Sequence, residues 1–194
     1  MGERTRPRVQ VAEDEGRRAL LVDGVVQSVA VDGPGIPTGY WAQMLPEVRP
    51  RRALLLGLGA GTVAHLLVRR FGPVPMIGVE VDAEVLAVAR AEFGLALPSL
   101  TIVEADARRY VLECSERFDY VCVDLYRGGQ LERGALARPF LRGIRRRLLP
   151  GSLVVFNLLR DKRLPRRLQR VQQVFPRTEV RGVGKNVVVR CPVH

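Results

Sequence analysis

Arg52-Ala-Leu-Leu-Leu-Gly-Leu-Gly-Ala-Gly-Thr62, followed at a distance by Glu80, decides the fold of this 194-residue chain. Ala53 to Leu56 is a short apolar run of the kind buried on both faces of a parallel sheet. The run breaks into Gly57-Leu58-Gly59-Ala60-Gly61, then resumes at helical spacing with Val63, Leu66, Leu67 and Arg70. A second apolar run, Pro75 to Val79, ends at Glu80, 19 residues beyond Gly61. Strand, glycine turn, helix, strand and acid make the first half of a nucleotide-binding βαβ unit. Gly57, Gly59 and Gly61 let the backbone turn sharply and approach a ligand, and the helix start offers unpaired N–H groups. Glu80 stands where a carboxylate can accept both hydroxyls of a ribose.

Outward from this unit the pattern repeats. Asp82 is a good N-cap for a helix over Ala83 to Phe93 that stops at Gly94. Leu100 to Val103 and Phe118 to Val123 read as the third and fourth strands, the latter ending at Asp124. A polar loop spans Tyr126 to Arg133. Pro139 opens a helix carrying Phe140, Leu141, Ile144 and Leu148 inward, and Pro150-Gly151 ends it. Ser152 to Leu158 is a fifth strand, and Leu164 to Phe175 an amphipathic helix. Thr178 to Val183 and Asn186 to Cys191 are separated only by Gly184-Lys185, which makes them an antiparallel hairpin. Before the unit, Arg18 to Asp32 forms two strands joined at Asp23-Gly24, Gly33 to Gly39 is a loop, and Tyr40 to Leu45 is a short helix. The expected architecture is α/β, a doubly wound Rossmann-like sheet with an antiparallel last strand plus a short N-terminal β-hairpin. Residues 1–45 form the hairpin and short helix, and residues 46–194 the main domain.

The net charge of +11 is unevenly placed: residues 141–194 hold 14 Arg/Lys against 2 Asp/Glu, and residues 1–140 hold 17 against 18. Such clustering suits an anionic partner such as RNA or an acidic protein surface, or else an arginine-rich solvated helix face. No aromatic residues interleave the arginines as single-strand binders require. No apolar run reaches about 18 residues, so no membrane helix is expected. The N-terminus lacks an apolar signal core, and Cys114, Cys122 and Cys191 have no metal-type spacing. A cytoplasmic location is the expectation.

The dinucleotide fingerprint places its third glycine at the position of Thr62, whereas here it falls one residue early, at Gly61. The resulting G-x-G-x-G is the form typical of S-adenosylmethionine methyltransferase folds. Asp106, in Val103-Glu-Ala-Asp-Ala107, stands where such folds place an acid that accepts from the adenine amino group. It is equally an N-cap for a helix from Ala107 to Glu113.

At this point the chain resembles the spermidine-synthase-like family, the polyamine-aminopropyltransferase-related branch of the class I S-adenosylmethionine-dependent methyltransferase fold. Leu21-Val-Asp-Gly-Val-Val-Gln-Ser28 is similar to that family's N-terminal hairpin signature, and Tyr40 to its substrate-side tyrosine. Gly57 to Thr62, Val79-Glu-Val-Asp82, Glu104-Ala-Asp106, Phe118 to Asp124 and Asn186-Val-Val-Val189 match its core motifs in order. The resemblance implies Gln27 near the ribose and sulfonium end, Glu80 on the ribose and Asp106 on adenine. Two departures oppose polyamine synthesis. Ala60 stands where the family's glycine loop, G-G-G-D-G-G, carries an aspartate, and Arg127 replaces the second acid of D-S-S-D-P. The chain is also short for that family, with less of its usual N-terminal sheet.

The first expectation is therefore methyl transfer from S-adenosylmethionine to an unidentified small-molecule acceptor, with catalysis mainly by orientation. Asp124 orients or deprotonates the nucleophile, or else caps the following loop. Tyr40 and Tyr126 join it as catalytic candidates, and together with Trp41 they line an acceptor pocket. His65 is read as structural. The alternatives are an aminopropyltransferase using decarboxylated S-adenosylmethionine, and a non-catalytic nucleotide-binding protein with a basic RNA- or protein-binding surface. A homodimer through the N-terminal hairpin edge is a further expectation.

Overall fold

In the computed structural model, which describes residues 8–33 and 39–193, the chain opens with three antiparallel strands and a short helix. These are β1 (Val9–Asp14), β2 (Arg17–Val22), β3 (Val25–Val29) and α1 (Trp41–Met44). Strands and helices then alternate as β4 (Ala53–Leu56), α2 (Thr62–Phe71), β5 (Met76–Glu80), α3 (Ala83–Glu92), β6 (Leu100–Glu104), α4 (Ala107–Glu113) and β7 (Phe118–Val123). A small hairpin, β8 (Tyr126–Arg127) and β9 (Gln130–Leu131), precedes α5 (Arg138–Arg146), β10 (Leu148–Leu159), α6 (Leu164–Gln172), β11 (Glu179–Val183) and β12 (Asn186–Val193).

The main sheet runs β11-β12-β10-β7-β4-β5-β6. Strands β4, β5, β6, β7 and β10 pair in parallel, β12 is antiparallel to β10, and β11 is antiparallel to β12. This is the expected doubly wound sheet with a reversed end. β4 lies inside it, between β7 and β5, and is buried along its whole length. Ala53 and Leu55 face a core shared with α1, α2, α3 and the N-terminal sheet, whereas Leu54 and Leu56 face one shared with α4, α5 and α6. That alternation is the strand's period of two. Each fully buried leucine contributes about 1.5–3 kcal/mol. The chain winds one way from β4 to β5 and the other way to reach β7, so the carboxyl ends of β4 and β7 flank a topological switch point, where open α/β sheets take ligands.

Four sequence expectations are corrected. β1 was not foreseen: its apolar alternation is confined to Val9 and Val11, of which Val11 is exposed, before Glu13 and Asp14 end it in charge. It joins β2 through Glu15 and Gly16 (φ 47° and 73°), a turn of the same hand as Asp23-Gly24 (φ 52° and 75°). Pro150-Gly151 does not separate helix from strand, because β10 begins at Leu148 and absorbs the pair in a register shift between Leu148 and Leu153. The loop after β7 contains the β8–β9 hairpin, and α6 ends at Gln172, although Val174 and Phe175 remain buried. Residues 34–38 of the expected loop lie outside the described residues.

Buried Arg190 of β12 donates from Nη1 to the carbonyls of Gln43 (3.0 Å) and Leu45 (2.8 Å) and pairs with Glu47 at 2.5 Å. Tyr120 Oη donates to the Met44 carbonyl at 2.7 Å. Each such bond satisfies a backbone carbonyl that α1 leaves open at its end. α1, and Tyr40 at its start, are thereby pinned to the sheet. No helix among the described residues is long and apolar enough to cross a membrane.

Candidate active site

The turn between β4 and α2 is tight because two backbones meet there. A Cβ on Gly57 (φ 84°) would stand 2.1 Å from the Asp124 carbonyl oxygen, and one on Gly59 (φ 53°) 2.5 Å from Ser28 Oγ. Only glycine satisfies both the left-handed conformation and the close approach. Gly61 is the N-cap of α2. The turn is also bolted to the N-terminal sheet. Ala60 N–H donates to Ser28 Oγ at 2.9 Å, Thr62 Oγ1 accepts from Val29 N–H at 2.9 Å, and it donates to the Val29 carbonyl at 2.8 Å. Ser28 and Thr62 are buried. Sequence reasoning placed both in motifs and gave neither a role. The available signal was a hydroxyl beside Gln27 and another where a dinucleotide fold carries glycine.

Glu80 ends β5 with its carboxylate against the turn. Oε2 accepts from Gly59 N–H at 3.0 Å, and Oε1 from the N–H groups of Val81 (2.9 Å) and Asp82 (3.1 Å). Burial raises its pKa, and those three bonds oppose the shift. Of the roughly four acceptor sites on a carboxylate, about one is left for a ligand donor. Asp106 caps α4, accepting from the N–H groups of Arg108 (2.8 Å) and Arg109 (3.1 Å). The Arg108 guanidinium also grips it, at 2.5 Å, and this bond is the main reason its pKa falls to about 2. The helix-capping role is thus realised, and the arginine clamp was not foreseen.

Asp124 follows β7 and is held entirely by remote side chains. Tyr40 Oη donates to Oδ2 at 2.8 Å and Asn157 Nδ2 to Oδ1 at 2.8 Å, while Asn186 Nδ2 donates in turn to Asn157 Oδ1 at 2.9 Å. Burial pushes the Asp124 pKa up from 3.8 to about 6, with the two hydrogen bonds limiting the rise. Burial and the adjacent carboxylate keep the Tyr40 phenol well above its ordinary value, so it remains a donor. Asn157 escaped sequence reasoning because a polar residue inside an apolar strand carries no motif, and Asn186 was read only as the start of the last strand, with no role at the site. Beyond Asp124, the exposed Arg127 pairs with Glu132 at 3.1 Å.

Gln27, Gly57, Gly59, Glu80, Asp106, Asp124 and Tyr126 line one open cavity of about 270 Å³, together with Ser28, Trp41, Thr62, Arg108 and Arg127. Two expected site residues do not line it. Gly61 lies under Leu95 at the start of α2, and Tyr40 sits behind Asp124 and reaches the site through that carboxylate. Trp41, stacked on Tyr40 at 4.6 Å, takes the wall position expected of both. Ala60 is buried and stands outside the lining. His65 lies on α2, with burial lowering its pKa, away from the cavity lining.

A glycine turn, an acid after the second strand and a capped acid after the third thus stand around one cavity at the switch point of the sheet. Residues 53–151 match the methyltransferase domain family. The polyamine aminopropyltransferase of Neisseria meningitidis is 27% identical over 180 residues, covering 87% of this chain and 68% of that protein. Among solved structures, a probable spermidine synthase from Corynebacterium glutamicum superposes with a TM-score of 0.82 at 21% identity, over 99% of this chain and 78% of that one. Human methyltransferase-like protein 13, solved in complex with SAH, gives a TM-score of 0.68 at 25% identity, over 78% and 75% of the two chains. The chain belongs to the methyltransferase domain family and is similar to polyamine aminopropyltransferases.

Proposed function

We propose that this protein is an aminopropyltransferase-type enzyme that binds decarboxylated S-adenosylmethionine and transfers its aminopropyl group to an amine acceptor. This reading displaces the methyl transfer that sequence reasoning put first, and the relatives named polyamine aminopropyltransferases support it. The observation that carries it is Asp124, a half-buried carboxyl whose pKa desolvation pushes up to about 6, suspended between Tyr40 and Asn157 in the cavity that also holds Glu80. The amine nucleophile is an ammonium at neutral pH (pKa about 10.4), and it attacks only after losing a proton.

The donor fits the residues present. Glu80 keeps acceptor capacity for a ribose hydroxyl, Asp106 faces the same cavity, and Gln27 closes the side nearest the N-terminal sheet. When bound, the sulfonium supplies an electrophilic carbon and a good leaving group. The chain's own residues do the rest. Asp124 takes up the amine proton, Tyr40 and Asn157 hold its two oxygens, and Trp41 with Tyr126 walls the acceptor end. Arg127 is met by Glu132, which reduces its repulsion of a cationic amine.

Incubation with decarboxylated S-adenosylmethionine and a panel of diamines and monoamines tests this reading by chromatography. Methylthioadenosine formed only when an amine is present is the expected result. S-adenosylhomocysteine formed from S-adenosylmethionine, with no methylthioadenosine, overturns it. That second reading, methyl transfer, is favoured by one feature: Ala60 offers no carboxylate to hold an aminopropyl ammonium.

A further inference from the structure

The outer surface of α5 and α6 carries charge of one sign. Arg138, Arg142, Arg145 and Arg146 recur at helical spacing on α5, opposite the buried Phe140, Leu141 and Ile144. Arg166 and Arg170 do the same on α6, opposite Val171. All six are exposed, and neither helix contains an acidic residue. Among the described residues none of the six guanidiniums makes an ion pair or hydrogen bond, whereas neighbouring Arg167 is paired with Asp161 at 3.0 Å. The start of α5 and the end of α6 meet at a cleft lined by Arg138, Arg170 and Gln173, which brings one arginine of each stripe together. None of the six arginines lines the cavity at Asp124.

Six like charges held together repel one another, and a polyanion relieves that repulsion. The composition of the surface selects among polyanions. Neither helix exposes a large apolar residue, so the apolar centre of a protein–protein interface is missing. Neither exposes an aromatic ring on which single-stranded bases could stack. Both helices lie with their apolar sides against the sheet, so neither projects to enter a DNA major groove. A flat field of planar guanidiniums suits phosphates flanking the wide, shallow minor groove of A-form RNA. We infer that the α5–α6 surface binds the phosphate backbone of double-stranded RNA, independently of its sequence and of the reaction at Asp124.

Fluorescence anisotropy with a labelled RNA duplex of about 16 base pairs, the span one duplex-binding RNA module covers, tests this over a potassium chloride series. Wild-type protein should bind with log affinity falling linearly against log salt. Replacing Arg142, Arg145, Arg166 and Arg170 together by Gln should make that slope shallower by about 3 to 4, at roughly 0.9 per phosphate contact. The fourfold Arg→Lys variant should keep the wild-type slope, with thermal unfolding verifying that both variants fold. Failure of wild-type protein to bind at low salt overturns the inference, as does an unchanged slope in the Gln variant. Tighter binding of single-stranded RNA, of the equivalent DNA duplex or of polyglutamate overturns it as well.

Discussion

The two ends of the cavity are built by opposite means. At the glycine-turn end the two carboxylates are held mainly by groups within three residues of them, Gly59 being the one remote donor, to Glu80. Glu80 is fastened by Val81 and Asp82, and Asp106 by Arg108 and Arg109. At the other end Asp124 is held from 84 residues upstream by Tyr40 and 33 residues downstream by Asn157. The chemistry follows the construction. Half-exposed Asp106, capped and clamped by an arginine, has a pKa of about 2 and stays ionised. Asp124, desolvated and with only neutral donors, has a pKa of about 6 and changes charge near neutrality. Local hydrogen bonding to charged and backbone donors keeps one carboxylate ionised, and desolvation between remote neutral side chains lets the other change charge near neutrality.

Breaking the remote end should have the largest effect. Asp124→Asn is expected to lower turnover by about 10²–10⁴-fold while leaving adenosyl affinity within a few-fold, as steady-state kinetics and calorimetry will read. The same change should stabilise the fold above pH 6. The native pKa of Asp124 lies above its ordinary 3.8, so the folded state binds its proton more tightly than the unfolded chain does. The stability this confers is complete below pH 4 and is lost as pH rises through about 6, a loss of about 2–3 kcal/mol. Denaturant unfolding of wild type and variant at pH 5 and pH 8 measures the difference. In wild type, kcat should rise with pH through about 6 as Asp124 ionises.

Glu80→Ala attacks the local end. It removes the acceptor proposed for the ribose and frees the N–H groups of Gly59, Val81 and Asp82. Adenosyl binding should weaken by about 10²-fold in calorimetry, consistent with about 1.5–3 kcal/mol per hydrogen bond to a charged group. A change in kcat at saturating donor, with affinity intact, would contradict the division between the ends.

Asn157→Leu sharpens the comparison. With one of its two donors gone, Asp124 should titrate about one pH unit higher, lowering kcat about twofold at pH 7 and about tenfold at pH 5 without moving adenosyl affinity. A merely structural asparagine would lower the melting temperature and leave the pH profile in place. His65→Ala, outside the lining of either end, should change adenosyl affinity less than about twofold, which separates cavity effects from those of α2 packing.

Legibility in the sequence tracked the same division. β4, β7 and α4 appear with the boundaries their apolar runs and caps imply. Glu80, Asp106 and the glycine turn stand together in one cavity because each follows a consecutive strand of a parallel sheet, whose carboxyl ends share one edge. What was not legible lies where elements meet without a pattern. β1 is polar, β8 and β9 are two residues each, and Ser28, Thr62, Asn157, Asn186 and Arg190 are single polar residues in apolar surroundings. Their partners are 29 to 147 residues away, beyond any spacing rule.

The amino-acid sequence by itself determined the doubly wound sheet, the glycine turn and the two carboxylates at the nucleotide end. Periodicity and capping act over a few residues, and the parallel sheet gathers the results at one edge. Only the tertiary structure decided that Asp124 hangs between Tyr40 and Asn157, that Arg127 is met by Glu132, and that Ala60 lies buried beneath Ser28 rather than in the cavity wall. Those outcomes depend on where α1, β3 and β10 dock on the sheet. Docking is fixed by long-range burial and by buried polar pairs such as Arg190 with Glu47, which exist only once the chain has closed on itself.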